Sequence, residues 1–298
     1  MRKDNLGIIL GLSAYVLWGL LSLYWKLLSG IEAYSTFAYR IIFTVLTMLI
    51  YMLVSGRKTV YLKDLKDLKG LVNNKKSFWT MFVASILISI NWLVYIFAVT
   101  HGHATEASLG YYMMPIISIL LSVLVLREHL ARVVSLAILI AIMGVGILVY
   151  QTGHFPLISL TLALSFGFYG LLKKSISLSS DFSMLVESSF IAPFALIYIV
   201  FFAKDFLTDY NILQLVLLSL SGIITAVPLL LFAEAIKRAP LNIIGFIQYI
   251  NPTIQLLLAL FIFKETIVSG EVIGFIFIWL AILVFSIGQV HTMLKKGK

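Results

Sequence analysis

Ten apolar stretches, each about as long as a membrane-spanning helix, occupy most of this 298-residue chain. A helix rises about 1.5 Å per residue, so about 20 apolar residues cross a hydrocarbon core of about 30 Å. The stretches lie at 6–28, 34–54, 78–100, 105–126, 133–150, 156–173, 182–203, 212–233, 241–263 and 270–290. With 61% hydrophobic and only 12% charged residues, a soluble fold has too little polar surface to cover them. The sequence therefore predicts an all-α integral membrane protein with ten transmembrane helices.

The basic residues fall almost entirely on one side of these predicted helices. If the N-terminus is cytoplasmic, 18 of the 22 Lys and Arg residues lie in inside segments, and the outside loops hold only Lys204 and Lys264. Cytoplasmic loops of membrane proteins carry such an excess. We predict that both termini and the basic connector 55–77 are cytoplasmic. The net charge of +9 then serves topology rather than a nucleic-acid partner.

An internal repeat divides the chain in two. Residues 91–128 match 228–265 without gaps, at an offset of 137 and with 8 of 38 positions identical. The most informative shared residues are Tyr112 and Tyr249, Pro115 and Pro252, and Glu128 and Glu265, and a second match pairs Trp18-Gly19-Leu20-Leu21 with Tyr169-Gly170-Leu171-Leu172. Because five is an odd number, two five-helix repeats run in opposite orientations, as in many secondary transporters. We predict inverted 5+5 repeats at 1–152 and 153–298, with Glu128 inside and Glu265 outside.

A polar stripe recurs at equivalent places of the two repeats. Its members are Gln248, Pro252 and Gln255 on the ninth span and Tyr111, Pro115 and Ser118 on the fourth. The spacings of four and three residues put each set on one helix face. Such residues serve either interhelical hydrogen bonding or a pathway lining, where each proline frees one backbone carbonyl. Their recurrence in both repeats favours the pathway.

Aromatic and amide residues add further candidates for this pathway. Tyr15 and Trp18 lie well inside the first span, and Asn91 and Trp92 lie well inside the third. Packing and a pathway lining are equally good interpretations of these aromatic residues. The neighbours of the polar stripe, Tyr112, Tyr249 and Asn251, complete the set. By contrast, Trp25 and Trp79 are near span ends, where Trp commonly anchors a helix at the membrane interface.

Charged residues inside the predicted spans need partners. A charge at mid-bilayer costs at least about 2.5–3.5 kcal/mol, so such residues face protein or water. Arg40 and Glu187 occupy corresponding points of the second and seventh spans, near opposite surfaces. We expect Arg40 to meet Glu106. The expected partners of Glu187 are Arg127, Lys173 or Lys174. Together with Lys26, these charges serve a gate or the structure.

Other kinds of chemistry find little support. The chain has no cysteine, which excludes disulfides, thiolate metal sites and cysteine nucleophiles. His101 and His103 form a pair in an outer loop, but no carboxylate cluster accompanies them, so we expect no metal. No nucleophile–base set or nucleotide motif is visible, and we expect no cofactor and no enzymatic activity. Small residues on the fifth span, Gly144 and Gly146, suit helix packing or a homodimer contact.

Several of these segments resemble a known family. They are AYVLWG at 14–19, NWLVYIFAV at 91–99, EASLGYYMMP at 106–115, FGFYGLLKK at 166–174, MLVES at 184–188 and GFIQYINP at 245–252. Together they resemble the EamA family of the drug/metabolite transporter superfamily, and more closely its RarD-like (chloramphenicol-sensitive) branch. The resemblance implies ten spans, cytoplasmic termini, and a central cavity lined by spans one, three, four, six, eight and nine. The chain departs from the family pattern at Met114, where Asn is expected, and at Asn251, where Gly is expected.

These features predict a permease. We expect secondary-active transport of a small organic metabolite or drug by alternating access across the plasma or inner membrane, with efflux as the direction. Because no ATP-binding segment is visible, gradients would supply the energy. The partners are then a small-molecule substrate and the lipid bilayer. The alternatives are a non-transporting membrane receptor or assembly factor, and a membrane-embedded enzyme with a clustered acid, base or metal site.

Overall fold

Helices form almost all of the described structure. The computed structural model describes residues 3–28, 30–73, 75–100, 104–152, 156–262 and 269–296, and these contain no strand. The helices are α1 (Lys3–Leu27), α2 (Ala33–Val54), α3 (Lys58–Asn73), α4 (Lys75–Thr100), α5 (Ala104–Leu124), α6 (Arg132–Thr152), α7 (Leu157–Ser175), α8 (Ser180–Phe201), α9 (Ile212–Arg238), α10 (Leu241–Ile247), α11 (Ile250–Phe261) and α12 (Ser269–Lys296). His101, His103, Lys264 and Glu265 lie outside the described residues.

Eight segments are long and apolar enough to cross a membrane. They are α1, α2, α4, α6, α7, α8, α9 and the pair α10–α11, and two shorter apolar helices lie at Leu109–Leu124 and Val272–Gly288. Each of the ten apolar stretches is therefore largely helical. The predicted all-helical membrane fold is confirmed. A backbone in the hydrocarbon core has no water to bond with, so long apolar segments satisfy their hydrogen bonds internally as helices.

The sequence predicted only a basic connector at 55–77, and that prediction was wrong. This segment contains the polar helix α3, whose Tyr61 and Asp64 side chains are buried. The hydroxyl of Tyr61 donates a hydrogen bond of 2.7 Å to Asp181, and the backbone N–H of Ser179 donates one of 3.2 Å to Asp64. These contacts attach α3 to the start of α8.

The helices pack in a pattern that repeats itself. Helix α1 packs on α9 as α4 packs on α7, and α5 packs on α7 as α11 packs on α1. Two pairs, α2 with α8 and α6 with α12, join equivalent helices of the two halves. If the polar helix α3 is left out and α10–α11 counts as one helix, exchanging each helix with the one five positions later maps these contacts onto one another.

Two glycines mark equivalent crossings. A Cβ added to Gly19 would lie 2.7 Å from Ile254, and one added to Gly167 would lie 2.7 Å from Ile117. Ile117 and Ile254 are partners at the offset of 137. The contacts therefore favour Gly167 as the counterpart of Gly19, three residues before the Gly170 that the sequence match pairs with it.

The small residues of the fifth span have different surroundings. A Cβ on Gly144 would lie 2.8 Å from the backbone oxygen of Gly274, so this glycine allows α6 and α12 to approach closely. The packing interpretation is confirmed for Gly144. Gly146 faces open space.

Candidate functional site

A cavity lies between α1, α2, α4, α5, α7, α9 and the α10–α11 pair. It is lined by Tyr15, Trp18, Leu21, Trp25, Arg40, Asn91, Trp92, Tyr95, Tyr111, Met114, Phe166, Thr225, Leu229, Gln248, Asn251 and Gln255. The resemblance implied six of these helices, and α2 adds a seventh through Arg40. The amide and tyrosine members of the polar stripe, Gln248, Gln255 and Tyr111, all reach the cavity.

The cavity occupies only part of the depth of the bundle. We call the end at which α1 begins the N-terminal face, and the ends of α5, α7 and α9 meet the start of α10 there. The lining residues of α1 come from its second half, residues 15–25. Arg40 lies about two turns into α2, which begins at the opposite face. The cavity therefore extends from the middle of the bundle toward the face opposite the N-terminus.

Aromatic rings form much of the cavity wall. Trp18 contacts Tyr15 with ring centroids 5.3 Å apart and contacts Phe166 at 5.9 Å, nearly perpendicular. Tyr95 and Tyr111 meet edge to face at 5.5 Å. Phe166 lies 148 residues after Trp18, the spacing that also separates Gly19 from Gly167. These edge-to-face contacts hold the rings in fixed positions and leave their remaining faces to a ligand.

Arg40 has aromatic neighbours in place of the expected acidic one. Its guanidinium lies 4.5 Å from the ring centroid of Trp92, 5.1 Å from that of Phe37 and 5.3 Å from that of Trp25. Its Nε and Nη2 atoms are buried and have no hydrogen-bond partner. The expected pairing of Arg40 with Glu106 was wrong, because ring faces attract a guanidinium without any carboxylate. Trp25, interpreted as an interface anchor, belongs to this site.

Amide side chains contribute the neutral polar lining. Asn91 donates hydrogen bonds of 2.9 Å to the backbone oxygen of Leu162 and 3.1 Å to the hydroxyl of Ser165. Gln255 donates one of 2.8 Å to Asn251. An amide has two donors and a carbonyl acceptor, so each of these groups can accept or donate a further bond to a ligand.

The ninth span is broken at the cavity. Helix α10 ends at Ile247 and α11 begins at Ile250, with Gln248 in the intervening turn. Pro252 has no N–H, so the Gln248 carbonyl cannot receive the usual helical bond from it. That carbonyl accepts a bond of 3.1 Å from the N–H of Asn251, so the proline does not leave it free as we expected. By contrast, α5 continues through Pro115 without a break.

Other predicted pathway residues lie beside the cavity. Tyr112 and Tyr249 pack in a buried apolar cluster with residues of α6 and α12. The hydroxyl of Tyr112 donates a bond of 3.2 Å to the backbone oxygen of Pro252, and that of Ser118 donates one of 3.4 Å to Gln248. Packing is therefore the better interpretation of Tyr112, Tyr249 and the two prolines. Ser118 does not line the cavity itself but holds the lining residue Gln248 by this hydrogen bond.

The remaining predicted charges also lie outside the cavity lining. Lys26 is exposed near the end of α1. Glu106 is buried in the first turn of α5, where its backbone oxygen accepts a 2.6 Å bond from Ser159.

Several lining residues escaped the sequence interpretation. They are Leu21, Tyr95, Met114, Phe166, Thr225 and Leu229. Two signals were available. Tyr95 is four residues after Asn91 and therefore on the same helix face, and Met114 is one of the two departures from the family pattern.

A buried ion pair lies on the N-terminal side of the cavity. The ammonium of Lys173 is 2.5 Å from a carboxylate oxygen of Glu187, and both side chains are almost completely buried. The hydroxyl of Ser183 contacts both groups, and Tyr169 donates a bond of 3.1 Å to Glu187. Of the three expected partners of Glu187, which were Arg127, Lys173 and Lys174, the structure selects Lys173. A buried charge requires such a partner.

The N-terminal face is further closed by Glu128. Its two carboxylate oxygens accept backbone hydrogen bonds of 2.9 Å from Leu241 and 3.0 Å from Asn242, the first residues of α10. The ammonium of Lys174 lies 3.1 Å from the same carboxylate. A carboxylate at a helix N-terminus satisfies unpaired N–H groups and the helix dipole. Glu128 therefore joins the ends of α5 and α7 to the start of α10.

The opposite face has its own polar contacts. Asp205 accepts hydrogen bonds of 2.7 Å from Ser35 and 2.6 Å from Tyr210. Burial raises the pKa of the Asp205 carboxyl, but these two hydrogen bonds and further ones from backbone groups together outweigh burial and hold that pKa below its usual value. Asp205 is therefore ionised at neutral pH and links the start of α2 to the loop between α8 and α9.

The described residues contain no group of three or more His, Cys, Asp or Glu side chains placed to hold a metal. The cavity lining combines aromatic rings, amides and one guanidinium. This arrangement can bind an organic molecule by stacking and hydrogen bonding.

Comparison with known proteins places these features in a family. The sequence model of the EamA-like transporter family matches residues 5–150 and again 156–287. An uncharacterised transporter of Bacillus subtilis, YojE, is 43% identical over 286 residues, covering 95% of this chain and 94% of its own. The protein RarD of Escherichia coli is 36% identical, covering 100% of this chain and 99% of its own. A solved crystal structure shares the fold with a TM-score of 0.68 at 16% identity, covering 93% and 97% of the two chains.

Proposed function

This chain belongs to the EamA-like transporter family, as a RarD-like member, and we propose that it is a secondary-active permease. It carries a small organic metabolite or drug across the plasma membrane by alternating access, in the direction of efflux. The observation that carries the proposal is the central cavity, which lies in one half of the bundle, while aromatic rings and a buried ion pair fill the space between the helices on its other side.

Inverted repeats give this cavity its position. We propose ten spans in two repeats, 1–152 and 153–298, with both termini cytoplasmic. The family match to two successive segments supports the division, and the helix contacts that exchange between halves support the symmetry. In transporters with such repeats, the substrate site lies near the midplane where the repeats meet. Gln248 and Tyr111, one from each proposed repeat, both line the cavity, which supports this assignment.

Alternating access follows from the closed half of the bundle. On the N-terminal side of the cavity, the ring of Phe232 contacts those of Tyr15, Trp18, Phe166 and Tyr169, with centroids 5.4 to 6.3 Å apart. The Lys173–Glu187 pair lies beyond this aromatic layer, toward the N-terminal face. In the proposed topology the structure is outward-facing, and transport requires this aromatic layer to part while the opposite half closes.

Replacing the cavity residues Gln248 or Tyr111 by Leu is expected to lower flux about two- to tenfold. Each change removes a polar group from the lining, and a hydrogen bond to a ligand contributes about 0.5–1.5 kcal/mol, or more when it is charged. Flux is measured in proteoliposomes loaded with a mixture of metabolites and drugs, by mass spectrometry of the compounds released.

Matched controls lie on the exposed surface of α6. Tyr150→Leu and Gln151→Leu make the same chemical changes at exposed positions and should leave flux unchanged. Release of no compound by the unsubstituted protein would contradict the permease function. Normal flux through both cavity variants would show that transport does not use this cavity.

A further inference from the structure

Arg40 is the one charged residue among those that line the cavity in the described part of the chain. Three aromatic rings lie within 5.3 Å of its guanidinium carbon, and Trp92 is the nearest at 4.5 Å. The ring contacts use the electrostatic attraction of the π faces and leave the N–H groups of the guanidinium unused. Two of its nitrogens, Nε and Nη2, are buried without a hydrogen-bond partner.

This arrangement leaves strong donors unsatisfied. A guanidinium is always protonated in proteins and presents five N–H donors in a rigid fork. A buried donor without an acceptor costs about 1–3 kcal/mol, and more when the group is charged. The arrangement is therefore suited to a ligand that supplies the missing acceptors. A carboxylate fits best, because it accepts two parallel hydrogen bonds from a guanidinium.

The chain shows elsewhere how it satisfies a buried charge that serves structure. Lys173 has Glu187 at 2.5 Å, and Ser183 contacts both of them. Arg40 occupies the position in the first proposed repeat that corresponds to Glu187 in the second, yet the described cavity lining surrounds it with aromatic rings and contains no carboxylate. A purely structural arginine would be expected to have such a partner.

The rest of the lining agrees with an anionic ligand. Among the described residues that line the cavity, none is acidic, and the positive charge of Arg40 repels a cation in a medium of low dielectric constant. Stacking surfaces on Trp18, Trp92 and Phe166 suit a flat organic body, and the amides of Gln248 and Asn251 suit its polar substituents.

We infer that the substrate is an organic carboxylate whose anionic group pairs with Arg40 while its apolar or aromatic part contacts the rings. The inference rests on the proposed permease function, since it assigns the cavity as the place where substrate binds. Arg40 is then the residue that selects anions over neutral and cationic molecules of the same shape.

The test is a binding measurement on the full-length purified protein. Trp18, Trp25 and Trp92 line the cavity, so tryptophan fluorescence reports its occupancy. The probes are phenylacetate, phenylacetamide and phenethylamine, which share a ring and differ in charge. We expect a saturable change with phenylacetate, and at least about tenfold weaker binding of the amide and the amine.

Variants assign the effect to the guanidinium. Arg40→Gln should weaken phenylacetate binding at least about tenfold and leave phenylacetamide binding unchanged. Arg40→Lys keeps the charge but loses the fork, so its binding should lie between the two. The control is Arg132→Gln, at an exposed position at the start of α6, which should bind as the unsubstituted protein does. If Arg40→Gln does not fold, Arg40→Lys decides.

Three results would overturn the inference: no saturable binding of phenylacetate, equally tight binding of the amide or amine, or unchanged phenylacetate binding in the Arg40 variants. Binding is measured without a gradient, which separates this test from the permease function. Arg40-dependent binding without flux of any compound would count against transport. Flux that ignores Arg40 and prefers neutral or cationic compounds would count against the anionic substrate alone.

Discussion

Replacing Lys173 by Met while Glu187 remains is expected to destabilise the protein by about 3–5 kcal/mol, because it leaves a buried carboxylate without its charged partner. The pair is 2.5 Å apart and almost completely excluded from solvent. In detergent, this loss corresponds to a fall of roughly 10 °C in the temperature at which half of the protein leaves the monodisperse peak in size-exclusion chromatography.

The matched control removes both charges. Lys173→Met combined with Glu187→Leu replaces the pair by apolar groups of similar size, an exchange that is often neutral or stabilising in proteins. The double variant should therefore recover most of the lost stability. A single variant as stable as the parent would mean that the pair is hydrated rather than buried. A double variant less stable than the single variant would mean that the Glu187 carboxylate stabilises the fold even without Lys173, so the two charges do more than neutralise each other.

Replacing Gly222 by Val is expected to prevent α2 and α9 from packing together. A Cβ at this position would lie 2.2 Å from the backbone oxygen of Phe43 and 2.4 Å from its carbonyl carbon. Backbone atoms cannot rotate away as a side chain does, so the helices would have to separate. We expect little folded protein, measured as membrane-inserted protein that gives a monodisperse peak after solubilisation.

Gly146→Val is the control for Gly222→Val. Both substitutions place the same β-branched residue inside a helix and so change helix propensity equally. Nothing lies within 4 Å of a Cβ at Gly146, and we expect normal folding. Equal yields of the two variants would show that the crossing of α2 and α9 tolerates a wider separation.

The sequence predicted the fold well where apolar length decides it. All ten apolar stretches are largely helical, because a backbone in lipid has few other ways to satisfy its hydrogen bonds. The sequence interpretation failed for α3, because its repeated Leu-Lys-Asp triplets suggest a solvated connector. The buried Tyr61 and Asp64 have their hydrogen-bond partners at the start of α8. The break before Pro252 was also missed, since Pro115 sits in an unbroken helix.

The site was predicted in part. Helical spacing identified Gln248, Gln255 and Tyr111, because polar groups in a membrane helix turn toward protein or water. Polarity cannot identify apolar lining residues such as Met114, and it does not say which side of a helix faces a neighbour. Tyr112 therefore shares the sequence signal of Tyr111 but points into the packing between α5 and α12.

The sequence also did not reveal the neighbours of Arg40, because they are aromatic rings rather than a residue of opposite charge. Depth in the membrane suggested Glu106 for Arg40, while the structure surrounds the guanidinium with rings contributed by α1, α2 and α4. Only the tertiary contacts of these helices bring Trp25 and Trp92 together, so no spacing along the sequence reveals the cluster.

Alternating access is tested most directly by the sidedness of one cavity residue. The chain has no cysteine, so a single Gln255→Cys variant reports the cavity alone. Thr59→Cys and Lys204→Cys, exposed at opposite faces, report the orientation. In the proposed topology, an impermeant maleimide labels position 204 in intact cells and position 59 only in inside-out vesicles.

Position 255 should be labelled from outside in intact cells, because the cavity lies toward that face. It should also be labelled, more slowly, in inside-out vesicles, and faster there when Lys173→Met and Glu187→Leu remove the charges of the closed half. Labelling from the outside only, under all of these conditions, would contradict alternating access through this cavity.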